Sequence, residues 1–310
     1  MLGKHTIKAV SKNETYLIDI IHKYNVIMGK SATGKSYFYK LVEARNRGVK
    51  IECDIPVVAI GEKEQFESYL NKSGNILVID EFFEVYSELD KYADRMKVSD
   101  NYFIFITRQY LTGFQYAISA VYKLKTSNNL VVLTPYFEHV PLNFADTGVI
   151  ITEDTKVGNE FYRTNFKDFE VFPKKGDQGG NRFVKKHYEQ LYKNGVLNNK
   201  HVYIIVDGAA FGNEIMELYG VIKMHSLNIK DFLIAVPESF EQLVCAAKLG
   251  IDDDHIKNPF DYDDTMKYSS WERYFTVLAN KTVKGYNKKW LTKAVIELSD
   301  KIIVMLKHLG

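Results

Sequence analysis

The sequence predicts an α/β chain of two unequal units: a mostly parallel sheet covered by helices, then a smaller α/β unit with C-terminal helices. Three observations predict it. From residue 5 to about 140, short apolar runs rich in β-branched and aromatic residues alternate with helical patterns. One of these runs opens directly into a glycine-rich turn, Gly29 to Ser36. The same alternation resumes after the turn-rich segment PKKGDQGGN, Pro173 to Asn181. A length of 310 residues accommodates two domains, expected at 1–150 and 183–310 with 151–182 as a linker or insertion.

Composition removes several classes. With 41 Lys plus Arg against 39 Asp plus Glu, the formal charge is +2. Wholesale electrostatic binding to nucleic acid or membrane is therefore excluded, and any such contact has to come from a local patch. Two cysteines, Cys53 and Cys245, make neither a disulfide framework nor a four-ligand zinc site, and they suit a reducing cytosol. The opening residues MLGKHTIKAVSKNETYLID interleave charged and apolar residues and do not read as a secretory signal. Nowhere do about 18 uncharged apolar residues run together, so no membrane span is expected. A soluble, cytoplasmic protein is the expectation.

The elements follow in order. His5–Val10 and Thr15–Ile20 read as a strand pair, and Tyr24–Met28 as a buried strand entering the glycine turn. Lys35–Asn46 is the helix after that turn. Val49–Ile60 holds one or two strands, Gln65–Leu70 is helical, and Ile76–Ile79 and Tyr102–Ile106 are apolar strands. Val121–Lys125 and Leu130–Pro135 form a hairpin joined by Ser127-Asn128-Asn129. Beyond the linker, Val184–Asn194 reads helical, His201–Val206 strand, Gly212–His225 helix, Phe232–Val236 strand and Ser239–Leu249 helix. The end reads as two helices, Trp271–Asn280 and Trp290–Leu309. In the second, Leu291, Val295, Leu298, Ile302, Met305 and Leu309 recur at three- and four-residue spacing.

The turn GKSATGKS matches G-x-x-x-x-G-K-[ST] without departure. Its candidate phosphate-binding residues are Gly29, Lys30, Ser31, Ala32, Thr33, Gly34, Lys35 and Ser36. The two glycines permit a tight turn whose amides face inward, and the following helix adds its positive end. Lys35 would reach β- and γ-phosphate oxygens, and the Ser36 hydroxyl would coordinate Mg²⁺.

Downstream, NILVIDE (Asn75 to Glu81) ends four apolar residues in two carboxylates. Asp80 would hold Mg²⁺ opposite Ser36, and Glu81 would deprotonate an attacking water. The strand FIFITR, Phe103 to Arg108, ends in Thr107, placed to sense a γ-phosphate, and Arg108, which could act as a finger in cis or in trans.

Through these motifs, residues 5–135 resemble the P-loop NTPase superfamily, in its branch with an added strand and a catalytic glutamate. The strand pair before the loop and the DE pair are similar to ABC-type ATPases. The interval from Lys35 to Asp80 is too short for the helical subdomain of those enzymes, and no LSGG-like signature occurs anywhere, so their head-to-tail dimer does not carry over. The resemblance implies a compact ATPase using ATP and Mg²⁺, and by analogy a homo-oligomer.

In the second half, HVYIIVDGAAFGNEI (His201 to Ile215) ends an apolar strand in Asp207-Gly208, with Glu214 soon after. A second strand leads to Glu238, with Glu241 close behind. Carboxylates at neighbouring strand ends could gather a second Mg²⁺ or Mn²⁺, so Asp207, Glu214 and Glu238 are the candidate ligands. The segment resembles a Toprim domain, which is fused to ATPases in the OLD family and in related phage-defence systems, although Asp207 stands where glutamate is usual and the only D-x-D candidates, within Asp252–Asp254, follow a helix. Lys174, Lys175, Arg182, Lys185, Lys186 and Lys193 form a basic run that could grip a nucleic-acid backbone, or equally be a solvated face.

Three functions remain open on sequence: an ATPase whose nucleotide state controls a C-terminal domain that binds or cleaves nucleic acid, an ATP-driven switch or assembly protein whose C-terminal half docks a protein partner, and a P-loop kinase.

Overall fold

In a computed structural model, the chain divides into two compact units, Met1–Phe137 with Lys257–Arg273, and Glu138–Ile256 with Tyr274–Gly310. The structure describes residues 2–47, 49–137, 144–155, 157–174, 177–225, 231–236, 238–246, 251–282 and 304–307. Both units are α/β. No helix among the described residues is long and apolar enough to cross a membrane.

The first unit is built on nine strands: β1 (His5–Val10), β2 (Thr15–Ile20), β3 (Tyr24–Met28), β4 (Lys50–Glu52), β5 (Val57–Ile60), β6 (Ile76–Asp80), β7 (Tyr102–Thr107), β8 (Val121–Ser127) and β9 (Leu130–Pro135). Their order across the sheet is β4-β1-β2-β9-β8-β3-β7-β6-β5. From β8 to β5 every pairing is parallel. The expected strand pair is antiparallel β1 and β2. The Val49–Ile60 region splits into two strands at opposite edges of the sheet. The β8–β9 hairpin closes through Asn128 and Asn129, both at positive φ, where asparagine is tolerated better than most residues.

Every residue of β3, β6 and β7 is buried. Because side chains alternate across a strand, each run feeds two cores. Val26, Leu77, Ile79, Phe103 and Phe105 pack on one face with Phe66, Leu89, Tyr92 and Met96. These come from helices α2 (Lys63–Leu70) and α4 (Leu89–Val98), which flank the short α3 (Glu84–Ser87). Ile27, Ile76, Val78, Ile104 and Ile106 face the other way, against Phe38, Leu41 and Val42 of α1 (Lys35–Glu43).

Residues Lys257–Arg273 return to this unit, although sequence placed them with the second. The Lys23 ammonium, itself buried, donates to the carbonyls of Lys97 (2.7 Å), Ser99 (2.7 Å) and Thr265 (2.8 Å). The His22 ring lies 4.1 Å from that of Trp271, and burial pushes its pKa down to about 3, so it is neutral.

The second unit holds β10 (Gly148–Thr152), β11 (Phe169–Phe172), β12 (His201–Ile205), β13 (Asp231–Val236) and β14 (Val304–Lys307), in the order β11-β10-β12-β13-β14. The first four strands are parallel and β14 is antiparallel. The stretch 151–182 is therefore not a linker. It carries the end of β10, helix α5 (Val157–Asn165), β11 and the loop into α6 (Asn181–Lys193). Helices α7 (Ile215–His225) and α8 (Phe240–Ala246) fall where periodicity expects them. A helix to Leu309 is overturned at Val304–Lys307, where adjacent apolar residues complete the edge of β13 as a strand. The remainder of that expected stripe, Leu291 to Ile302 and Leu309, lies outside the described residues.

Asp263 supplies a test of how the returning segment is held. Burial pushes its pKa from 3.8 up to about 7, with nearby Lys23 opposing the rise, and its Oδ1 has no hydrogen-bond partner. An acid raised by folding binds more protons folded than unfolded, so stability falls as pH climbs from about 4 to 7. We expect Asp263→Asn to raise the thermal midpoint at pH 8, with the gain shrinking toward pH 4. An equal shift at both pH values would refute the assignment.

Candidate functional site

Strand β3 ends at Met28 and the chain turns through Gly29 to Ser36 into α1. Ala32 sits at φ +64°, and Gly34, the residue preceding the helix, at φ +85°. A Cβ on Gly34 would lie 2.9 Å from the Tyr16 hydroxyl. Tyr16, buried on β2, donates to the Gly34 carbonyl at 3.2 Å. In a planar trans peptide the carbonyl and the next N–H point in opposite directions. Holding the Gly34 carbonyl thus also fixes the direction of the Lys35 amide, at the first turn of α1.

Lys35 folds over its own loop. Its ammonium donates to the carbonyls of Gly29 (2.6 Å) and Lys30 (2.8 Å) and to Thr33 Oγ1 (3.1 Å). Burial lowers its pKa, opposed by the carboxylates of Glu81 and Asp80 and reinforced by Arg108. Lys30, Ser31, Ala32 and Thr33 form the exposed crown of the turn, and Ser36 is half-buried.

Asp80 ends β6 and is 1% exposed. Its Oδ1 accepts the Phe82 amide at 3.2 Å, while Oδ2 is buried without a hydrogen bond of good geometry. Burial raises its pKa, against the Phe82 amide and a nearby Ser36 hydroxyl. A hydroxyl facing a carboxylate with a spare buried oxygen is a donor set that suits a hard cation such as Mg²⁺.

Glu81 is held by the end of β7. Its Oε2 accepts the Arg108 amide at 2.6 Å and lies 3.2 Å from the Thr107 hydroxyl, and its Oε1 accepts the Arg108 Nε–H. Burial alone would raise its pKa, but Arg108 and Thr107 outweigh that and hold it below the usual range. The Arg108 guanidinium also lies 5.0 Å from the centre of the exposed Phe82 ring. The structure thus brings Lys35, Ser36, Asp80, Glu81, Thr107 and Arg108 to one sheet edge. Two tyrosines escaped the sequence reading. Tyr16 braces the loop, and Tyr86 sits within the field of Glu81 and Asp80, its pKa pushed up to about 12 chiefly by burial. Neither belongs to a motif, and only packing reveals them.

In the second unit Asp207 follows β12 and is buried. A carboxylate oxygen of Asp207 lies within 4.8 Å of one from Glu241, at the start of α8. Among the described residues, Glu214 and Glu238 are not part of that grouping. Burial pushes the Glu214 carboxyl up to about 7, and the Glu238 carbonyl accepts the Ala209 amide at 2.7 Å.

Glu153 and Asp154 were missed. They follow β10, whose register with β12 pairs Thr152 with Ile205, so their chain exits the sheet beside Asp207. Buried Tyr162 feels Glu153, Asp154 and Asp207 together, its pKa raised first by burial and then by these charges. The available signal was the apolar run Gly148–Thr152 ending in two acids, the same form as NILVIDE.

The basic run is only partly free. Lys185 pairs with Glu217 at 2.9 Å, Lys174 lies over the Phe172 ring, and Arg182 over that of Phe183. Lys175 lies outside the described residues.

Gly34→Ala tests the bracing of the loop. The left-handed backbone should cost about 1–2 kcal/mol, and the Tyr16 contact should add to it. In a Tyr16→Phe background the added part should disappear. Urea midpoints for the four chains check this, and strict additivity would refute the contact.

No protein-family model matches the chain, and no curated protein matches it either, leaving the loop and its facing carboxylates to argue for function by their own chemistry.

Proposed function

We propose that the first unit binds and hydrolyses a nucleoside triphosphate, ATP by resemblance, and that its nucleotide state governs a C-terminal unit acting on nucleic acid. The observation that carries this reading is the meeting of the Gly29–Ser36 turn with the acidic end of β6. A triphosphate in such a turn brings a divalent cation with it, and Asp80 offers a buried oxygen that no donor meets in good hydrogen-bonding geometry, with the Ser36 hydroxyl nearby.

Two further features support it. Strand β7 lies between β3 and β6, the placement implied by the superfamily branch with an added strand. Thr107 and Arg108 then end that intervening strand, at the edge where a γ-phosphate would lie.

In this reading the loop amides and the α1 N-terminus take the β-phosphate, and Lys35 exchanges its loop carbonyls for β- and γ-phosphate oxygens. Ser36 and Asp80 would hold Mg²⁺, which would supply neutralisation of phosphate charge. Glu81 takes a proton from the attacking water. A carboxylate beside the cation-binding aspartate favours water as acceptor over a substrate hydroxyl, which sets hydrolysis ahead of kinase chemistry.

For the second unit, the support is the approach of Asp207 and Glu241, with carboxylate oxygens within 4.8 Å of each other beyond the ends of β12 and β13, a pair suited to oxygen-liking divalent cations and phosphodiester chemistry.

Calorimetry with ATP and Mg²⁺ tests the first claim. Binding heat is expected for the wild type and none for Lys35→Ala, whereas a folded wild type giving no heat with ATP or GTP sinks the reading. Glu81→Gln should keep the binding heat and lose about 10²-fold or more in phosphate release.

Asp207→Ala should leave ATP turnover unchanged and abolish Mn²⁺-dependent nicking of plasmid DNA or cleavage of RNA. If the wild type cuts neither and its turnover does not respond to nucleic acid, the second unit is a docking domain, as in the switch or assembly alternative.

A further inference from the structure

Glu81 is the expected base, yet it is engaged. Among the described residues, the donors on its carboxylate come from the end of β7: the Arg108 amide at 2.6 Å and the Arg108 Nε–H, with the Thr107 hydroxyl 3.2 Å away. A base that must meet water at 2.6–3.2 Å is here tethered to an arginine.

The two partners are unequal. The Glu81 side chain is 12% exposed and that of Arg108 46%. Glu81 is fixed in the edge of the sheet, while the guanidinium lies on the surface over the Phe82 ring. Arg108 is also near enough for its charge to be felt at Lys35, which places it within the field of the loop.

We infer that this ion pair is a nucleotide-operated latch: Arg108 restrains Glu81 until the γ-phosphate of a bound triphosphate draws the guanidinium away, freeing Oε1 of the carboxylate for water while the Arg108 amide keeps Oε2 in place. The inference rests on the proposed nucleotide reading and adds to it a regulation of that site.

Magnitudes favour the exchange. A half-exposed ion pair is weak, because solvent screens it. A γ-phosphate offers more charge than one carboxylate and matches the two-pronged geometry of a guanidinium. ADP lacks that group and should leave the latch closed. Arg108 is thus a positioning residue toward Glu81 and a ligand of the triphosphate, two roles that exclude each other in time. Such an arrangement suppresses water activation while no γ-phosphate is present.

The test uses Phe82→Trp in the full chain. Phe82 is 67% exposed, so the substitution is tolerated, and the introduced indole sits beneath Arg108. With Mg²⁺ and saturation verified by calorimetry, a nonhydrolysable ATP analogue should shift its emission and ADP should not. Adding Arg108→Ala should abolish the shift. Adding Glu81→Gln, which removes the restraining charge, should give the triphosphate-like emission with no nucleotide.

Arg108→Ala alone should weaken binding of the analogue by about tenfold or more while leaving ADP affinity unchanged. Binding heat with one emission for the free, ADP and triphosphate states overturns the latch while sparing the nucleotide reading. A shift that survives Arg108→Ala does the same. Absence of binding heat overturns both.

Discussion

A strand buried on both faces can present polar chemistry only at its ends. β3, β7 and β6 are buried along their lengths and parallel to one another, so their carboxyl ends share one edge. The turn after β3, Thr107 and Arg108 at the end of β7, and Asp80 with Glu81 at the end of β6 meet there because the two cores leave them no other place. The position of the site is a consequence of the core. Truncating Phe103 or Ile104 would misplace charges that neither residue touches.

Given that edge, the charges partly restrain one another. Lys35 would be costly to bury alone, and three oxygens of its own loop satisfy it. Glu81 is offset by Arg108. Asp80 is the exception, keeping one buried oxygen with no donor in hydrogen-bonding geometry. A residual demand for positive charge thus lies beside the Gly29–Ser36 turn, and the cation–triphosphate pair proposed for this site would answer it.

Motifs with strong local grammar were legible in sequence. The GKSATGKS turn, the acids after Ile79 and the asparagine hairpin each encode a backbone requirement in adjacent residues, and each element lies within a residue or two of its expected place. Long-range pairing was not legible. Nothing local tells that β4 and β5, separated by a few residues, go to opposite edges, or that Lys23 is satisfied by Thr265. The pairing of Arg108 with Glu81 depends on β6 and β7 being neighbours, which only the sheet order decides. At Val304–Lys307 the expected helix gives way for a related reason: in Val304–Met305–Leu306 a helical spacing and a continuous strand pattern coincide, and the edge of β13 selects the strand.

The second sheet repeats the edge rule under a different topology. Chain leaves β10 toward β11 on one side, and β12 toward β13 on the other, so the connections diverge at the point where Glu153, Asp154 and Asp207 emerge. An α/β sheet opens its crevice at such a reversal. The glycine-rich loop that looked like a linker belongs to this edge. Gly180 donates its amide to the Glu153 carbonyl at 2.7 Å, and a Cβ on Gly179 would lie 2.6 Å from Thr155 Cγ2. Those glycines let α6 begin hard against the end of β10. Charged flanks and turn residues read as a linker or insertion, whereas their physical role is to close the backbone tightly around a strand end that carries two acids.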